Sequence, residues 1–255
     1  GLYTNYTDYA PVNGYWDEDW VARHPNGDWQ HAWMRCYAPK PMRSVEMEAL
    51  LAPQIQAKFG ENHSYCDVHT AVTPFSRVDY DHRVPGAGTF RRTFECFGRL
   101  LYNEKTAHKG PVYSEGNNHW WYSGLTDGNY AQIISPAPPK EPLLVAFDLL
   151  KMHPLQMDAG MGDPGMFFRG APHNLEQYIA TKLAYGHIGF ASWGSQSGLM
   201  KTYYMLQALQ KHYVMVPVVR IEYDDGGTLV DTSDALISGA YAEGRVHVVY
   251  GNGTE

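Results

Sequence analysis

The sequence lacks any excess of positive charge: Asp, Glu, Lys and Arg make up an ordinary 18%, and the balance is acidic, a net −7. A surface short of positive charge is a poor match for a nucleic-acid backbone or an anionic membrane, so neither is expected as a partner. No apolar run is long enough to cross a bilayer. Only three cysteines occur, Cys36, Cys66 and Cys96. The odd number leaves at least one unpaired, no close metal-type spacing is present, and all three read as buried thiols. There is no glycine-rich phosphate loop after a first strand, which speaks against a doubly wound nucleotide-binding sheet. Neither His-x-His nor His-Glu-x-x-His is found. No leader is visible, although the chain opens at Gly1-Leu2-Tyr3 inside what reads as a strand.

What is abundant is aromatic: 14% of 255 residues, with 19 Tyr and 7 Trp. Many of these rings stand beside Gly, Asn, Asp and His rather than inside apolar runs, a texture suited to stacking on sugars or similar rings. Hydrophobic content of 44% is ordinary for a globular protein with a sizeable core.

The pattern along the chain alternates strands and helices. Leu2 to Tyr9 reads as a strand ending near Asp8 and Tyr9, followed by a long Trp-rich loop from Asn13 to Pro41. Ser44 is the expected cap of a helix that stops at Gly60, with Pro53 expected to kink or restart it. His63 to Thr70 is the next strand. Phe90, Phe94, Phe97 and Leu101 recur at helical spacing, and their stripe is core. Gly110 to Glu115 is a strand, backed by the aromatic run His119-Trp120-Trp121-Tyr122. After Pro136-Ala137-Pro138-Pro139, the apolar run Leu143 to Leu150 reads as a doubly buried strand. A helix capped by Asn174, a strand from His187 to Trp193 and a helix from Leu199 to His212 complete this part. From Val214 the texture turns to alternating strands with hairpin-type turns at Asp224-Asp225-Gly226-Gly227 and Asn252-Gly253.

Strand–helix alternation implies a parallel α/β fold. Carboxylates at successive strand ends fit a (β/α)₈ TIM barrel. About five strands are countable against the eight required, so the expectation is a barrel over 1–213 whose first strands precede residue 1. The start of an antiparallel β-sandwich over 214–255 would follow.

Two strand ends carry the chemistry. Glu and Asp are poor strand residues, so Asp67 between Cys66 and Val68, and Glu115 before Gly116, mark functional positions. Adjacent strands lie about 4.8 Å apart, which lets two strand-end carboxylates approach the roughly 5–5.5 Å of a retaining glycosidase. Asp67, short and stiff, suits the nucleophile. Glu115, longer and beside aromatics, suits the acid that protonates the departing oxygen. Tyr9, Trp120, Trp121 and Tyr122 are candidate stacking platforms, and Asp8, His69, His153 and Asp158 candidate hydrogen-bonding partners for sugar hydroxyls. No cofactor is implied. Two other classes compete: a metal-dependent hydrolase built on Asp67, His69, His119, His153 and Asp158, and a carbohydrate-binding protein without catalysis.

The segments Tyr65-Cys66-Asp67-Val68-His69, Asp79-Tyr80-Asp81 and Gly110-Pro111-Val112-Tyr113-Ser114-Glu115-Gly116 resemble the barrel of endo-α-N-acetylgalactosaminidase-type glycoside hydrolases. The resemblance spans roughly residues 1–250. It implies a retaining O-glycosyl hydrolase with an Asp nucleophile at Asp67, a Glu acid/base at Glu115, a β-sandwich after the barrel, a carbohydrate substrate and a secreted or periplasmic location.

Overall fold

The computed structural model describes residues 17–32, 36–115, 118–129, 148–152, 175–186, 195–242 and 245–255. The expected strands at Leu2–Tyr9 and His187–Trp193, and most of the one at Leu143–Leu150, lie outside them. The chain divides into two compact units, 1–128 and 129–255.

In the first unit the Trp-rich stretch is a small three-limbed meander. Ala22, Gln30 and Ala38 exchange backbone hydrogen bonds of 2.8–2.9 Å. It is tied down by the buried Lys40–Asp81 ion pair at 2.6 Å, which Arg83 shares. Helix α1 then runs from Pro41 to Phe59. It starts three residues ahead of the expected Ser44 cap because Pro41 already supplies helical φ at the first position, where its missing N–H costs nothing. Pro53 lies inside this one helix, which it neither ends nor restarts, and Gly60 closes it in the left-handed conformation (φ 73°).

Strand β1 is Ser64–Cys66. Helix α2, Phe90–His108, begins at Thr89, whose hydroxyl accepts from the Arg92 N–H. Strand β2 is Val112–Ser114, and β3, Gly128–Asn129, completes a sheet of order β1-β2-β3. β1 and β2 are parallel, with Tyr65 opposite Tyr113 and Cys66 opposite Ser114. Cys66, Phe97, Leu100, Leu101, Val112 and Tyr122 form the core between sheet and helix. Behind β1 lie two more acids, Glu48 of α1 and Glu104 of α2, both almost wholly buried. Burial pushes the Glu48 carboxyl up to about 8, so it enters the core protonated.

The second unit contains α3 (Leu149–Met152), α4 (Leu175–Tyr185) and α5 (Gln196–Tyr213), the last capped by the Ser195 hydroxyl. A three-stranded antiparallel sheet follows: β4 (Val218–Asp225), β5 (Thr228–Asp231) and β6 (Val246–Tyr250), in order β5-β4-β6. Gly226 and Gly227, both at positive φ, make the two-residue hairpin loop between β4 and β5. Helix α6, Thr232–Ser238, capped by Asp231, was not expected from the sequence. Ile179, Tyr185, Leu206 and Tyr213 share one core with Val218, Ile221, Tyr223 and Tyr250, so this core runs across position 214.

Two expectations are corrected here. Among the described residues there is no (β/α)₈ TIM barrel: the strands form two separate three-stranded sheets. The strand–helix alternation that pointed to a barrel is met locally by one parallel β1–α2–β2 unit, and Leu149 and Leu150, expected in a strand, are helical. Nor is a β-sandwich seen among the described residues. Side chains of α4 and α5 pack on the β4–β6 sheet, where a sandwich would place its second sheet.

The parallel pairing depends on a close approach at Gly110. A Cβ added there would land on the carbonyl oxygen of Asn62, a backbone atom with no side-chain freedom to yield. Gly110→Ala is therefore expected to destabilise the fold by about 2 kcal/mol or more in urea unfolding, against the few tenths typical of a surface change. A loss within about 0.5 kcal/mol would contradict the close pairing.

Candidate functional site

The register of β1 and β2 fixes the site. With Cys66 opposite Ser114, the next residues along the two strands are Asp67 and Glu115, and they leave the sheet side by side. Their carboxyls hydrogen-bond to each other. Glu115 is buried (9% exposed), while Asp67 is partly exposed. Burial is the main force lifting the Glu115 carboxyl to about 7; the hydrogen bond and negative charge of Asp67 lift it further, and the Val68 N–H pulls it back. Two like charges this close cannot both be ionised cheaply, so the pair holds one proton near neutrality.

The segment after β1 grips Glu115 at two points. The Val68 N–H donates to Oε2 at 3.0 Å, and the Thr70 hydroxyl donates to the main-chain carbonyl. Val68 has φ 68°, and the His69 N–H closes back onto the Asp67 carbonyl at 2.8 Å. Positive φ with an i→i+2 bond is the strained form of the γ-turn. This turn ends β1 after three residues, four short of the expected strand end at Thr70.

His69, expected to meet a sugar hydroxyl, is fully buried, edge-on to Phe97 with ring centroids 4.8 Å apart. Its Nδ1 lies 3.0 Å from the Asp67 carbonyl oxygen, which can only accept, so Nδ1 carries the proton. Burial lowers its pKa to about 4 and keeps the ring neutral. It braces the turn and offers no surface to a ligand. Burial likewise drives the Cys66 thiol well above its usual range, so it stays protonated.

The aromatic run is a 3₁₀ turn, His119–Tyr122. Tyr122 is 2% exposed and stacks on Phe94 at 5.2 Å, so it is core and not a stacking platform. Trp121 leans on Phe75, Phe90 and Phe94. With Met42, Val45, Tyr102 and Leu125 it lines an open groove of about 820 Å³, a groove that neither carboxylate lines. His119 is buried. Asp8, Tyr9, His153, Asp158 and the Trp120 side chain lie outside the described residues. Among the described residues no three His, Cys, Asp or Glu side chains gather as a metal-ligand set.

Sequence reasoning singled out Asp67 and Glu115 and missed Val68 and Thr70. The Val68 contribution is a peptide N–H, which no residue type advertises. Thr70 sat at the end of an expected strand, with nothing to distinguish its hydroxyl. No protein-family model, no curated protein and no solved structure matches this chain.

The raised Glu115 pKa has a thermodynamic signature. The folded value, about 7, lies above the ordinary 4.5, so the native state holds the proton more tightly than the unfolded chain. The resulting stabilisation is complete below pH 4.5 and is lost as the pH rises through 7. Glu115→Gln keeps the shape and removes the titration. The stability of the wild type relative to this variant, from urea unfolding at a series of pH values, is expected to fall across that window and be flat on either side. A difference that is flat throughout would refute the shift.

Proposed function

We propose that the chain is a glycoside hydrolase of the retaining type, working through Asp67 and Glu115 on a carbohydrate substrate. The observation that carries this reading is the carboxyl pair at the ends of adjacent parallel strands, one member buried and protonated near neutrality, the other more exposed. A general acid works best when its pKa lies near the working pH, which suits Glu115 to protonate the departing glycosidic oxygen. Asp67, on the open side of the pair, suits attack on the anomeric carbon. Carboxyls in hydrogen-bonding contact are too close to leave room for an inverting water, which needs roughly 6.5–9.5 Å, and so favour the shorter spacing of retention, about 5–5.5 Å, once a sugar enters between them. After Asp67 has formed the glycosyl ester and the alcohol has left with the proton of Glu115, the Glu115 carboxylate can deprotonate the water that releases the sugar. The motif resemblance at 65–69, 79–81 and 110–116 points the same way.

The direct hydrogen bond also gives footing to a second reading. A carboxyl pair sharing one proton is what an aspartic-peptidase-type hydrolase uses to activate water against an amide. The two differ in what accumulates: a covalent glycosyl ester on Asp67 in the first, no enzyme-bound ester in the second.

The test is turnover of a panel of aryl α- and β-glycosides, with an unfolded protein as the amide substrate. Glu115→Gln is expected to lower turnover by about 10²–10⁴-fold on glycosides with poor leaving groups, and much less on dinitrophenyl glycosides, which need no acid. Asp67→Ala is expected to abolish turnover, with azide restoring part of it as the glycosyl azide. Wild-type turnover in either variant would sink the assignment, and cleavage of the unfolded protein alone would transfer it to the peptidase reading.

A further inference from the structure

Val68 is in an unusual position for its residue type. It is β-branched and buried, yet it occupies positive φ, a region that β-branched side chains enter only under strain. Such strain persists only where the surroundings over-determine it. Here the His69 N–H and the His69 ring both close onto the Asp67 carbonyl, at 2.8 and 3.0 Å. The Ala71 and Val72 N–H groups take the Val68 carbonyl at 2.8 and 3.1 Å. Phe97 backs the imidazole.

The inversion has one chemical result. It swings the Val68 N–H out of the strand ladder and onto Oε2 of Glu115, while Thr70 holds the main chain of the same residue. One segment of three residues thereby fixes Glu115 at its backbone and at one carboxyl oxygen. The group bearing charge against Glu115 is Asp67, and the nearby His69 is neutral.

We infer that Val68 is a positioning residue of the carboxyl pair: its inverted peptide N–H pins one oxygen of Glu115, confining the shared proton to the side that faces Asp67. This rests on the reading of Asp67 and Glu115 as a working pair. Pinning one oxygen makes the two unequal, so a single oxygen delivers the proton. An N–H aimed at a carboxylate also favours its ionised form and opposes the burial that raises it.

The experiment replaces Val68 by its α-hydroxy acid, an amide-to-ester change that deletes the N–H and keeps the isopropyl group. The Glu115 carboxyl is followed by ¹³C NMR across pH. Its titration is expected to move up by about one unit, and the alkaline limb of kcat/KM on an aryl glycoside to move with it. A titration that stays at the wild-type position overturns the inference. Should the ester protein fail to fold, Val68→Gly and Val68→Ala serve. Both trim the side chain, but only glycine frees the backbone, so Val68→Gly is expected to shift the titration upward relative to Val68→Ala. Identical titrations in the two would overturn the inference. The NMR readout is independent of turnover. A shifted titration without glycoside cleavage would leave the positioning role intact and remove the glycosidase, and cleavage with an unmoved titration would do the reverse.

Discussion

Everything at the site follows from the parallel pairing of β1 and β2. Three residues a side, with Cys66 opposite Ser114, leave Asp67 and Glu115 no alternative to lying together. Helix α2 joins the two strands, as a parallel connection requires, and its Phe97, Leu100 and Leu101 bury the sheet face beside Cys66 and Val112. The close approach at Gly110 sets the entry to β2 on the Asn62 side. The pair is thus placed by hydrophobic burial, and its electrostatics are a consequence. Two carboxylates forced together in a partly buried place share a proton because separation would require the sheet to open.

The same logic runs deeper into this unit. Glu48 and Glu104 lie behind β1, and burial raises both carboxyls. Burial is the dominant cause of the high pKa of Cys66, and any negative charge on Glu104, Glu48 or Asp67 would raise it further. Protonated Glu48 places no charge beneath the pair, and His69, kept neutral by burial, adds no positive charge that would ionise Glu115 early.

How much of this was legible in the sequence depends on whether the deciding force is local. The α2 stripe was readable because Phe97, Leu100 and Leu101 repeat at helical spacing, and Gly226-Gly227 announced a hairpin because both positions need positive φ. Asp67 and Glu115 stood out as carboxylates where strands prefer apolar or β-branched residues. The barrel was a different kind of statement. Closure of eight strands is a global property, and one β–α–β unit writes the same local pattern. Tyr122 misled for a related reason: its composition is the same whether its face meets a ligand or Phe94, and here the packing of α2 decided for the core. Helix α6 escaped because seven residues after a strand carry too little periodicity to be seen, although Asp231 caps it as a helix start should be capped.

The turn at Val68 marks the limit of residue-by-residue reading. Valine signals a continuing strand, and by propensity β1 should have run on to Thr70. Had it done so, side chains would have alternated across the sheet, and the Val68 N–H would have stayed in the ladder direction. The chain instead accepts a strained residue, and the peptide inverted there is the one whose N–H meets Glu115. A glycine at this position would have relieved the strain and, with it, the constraint. The local conflict between residue type and backbone shape is therefore best understood as the means by which a soft strand end is made stiff, in the one place where a shift of a carboxyl oxygen would change which group holds the proton.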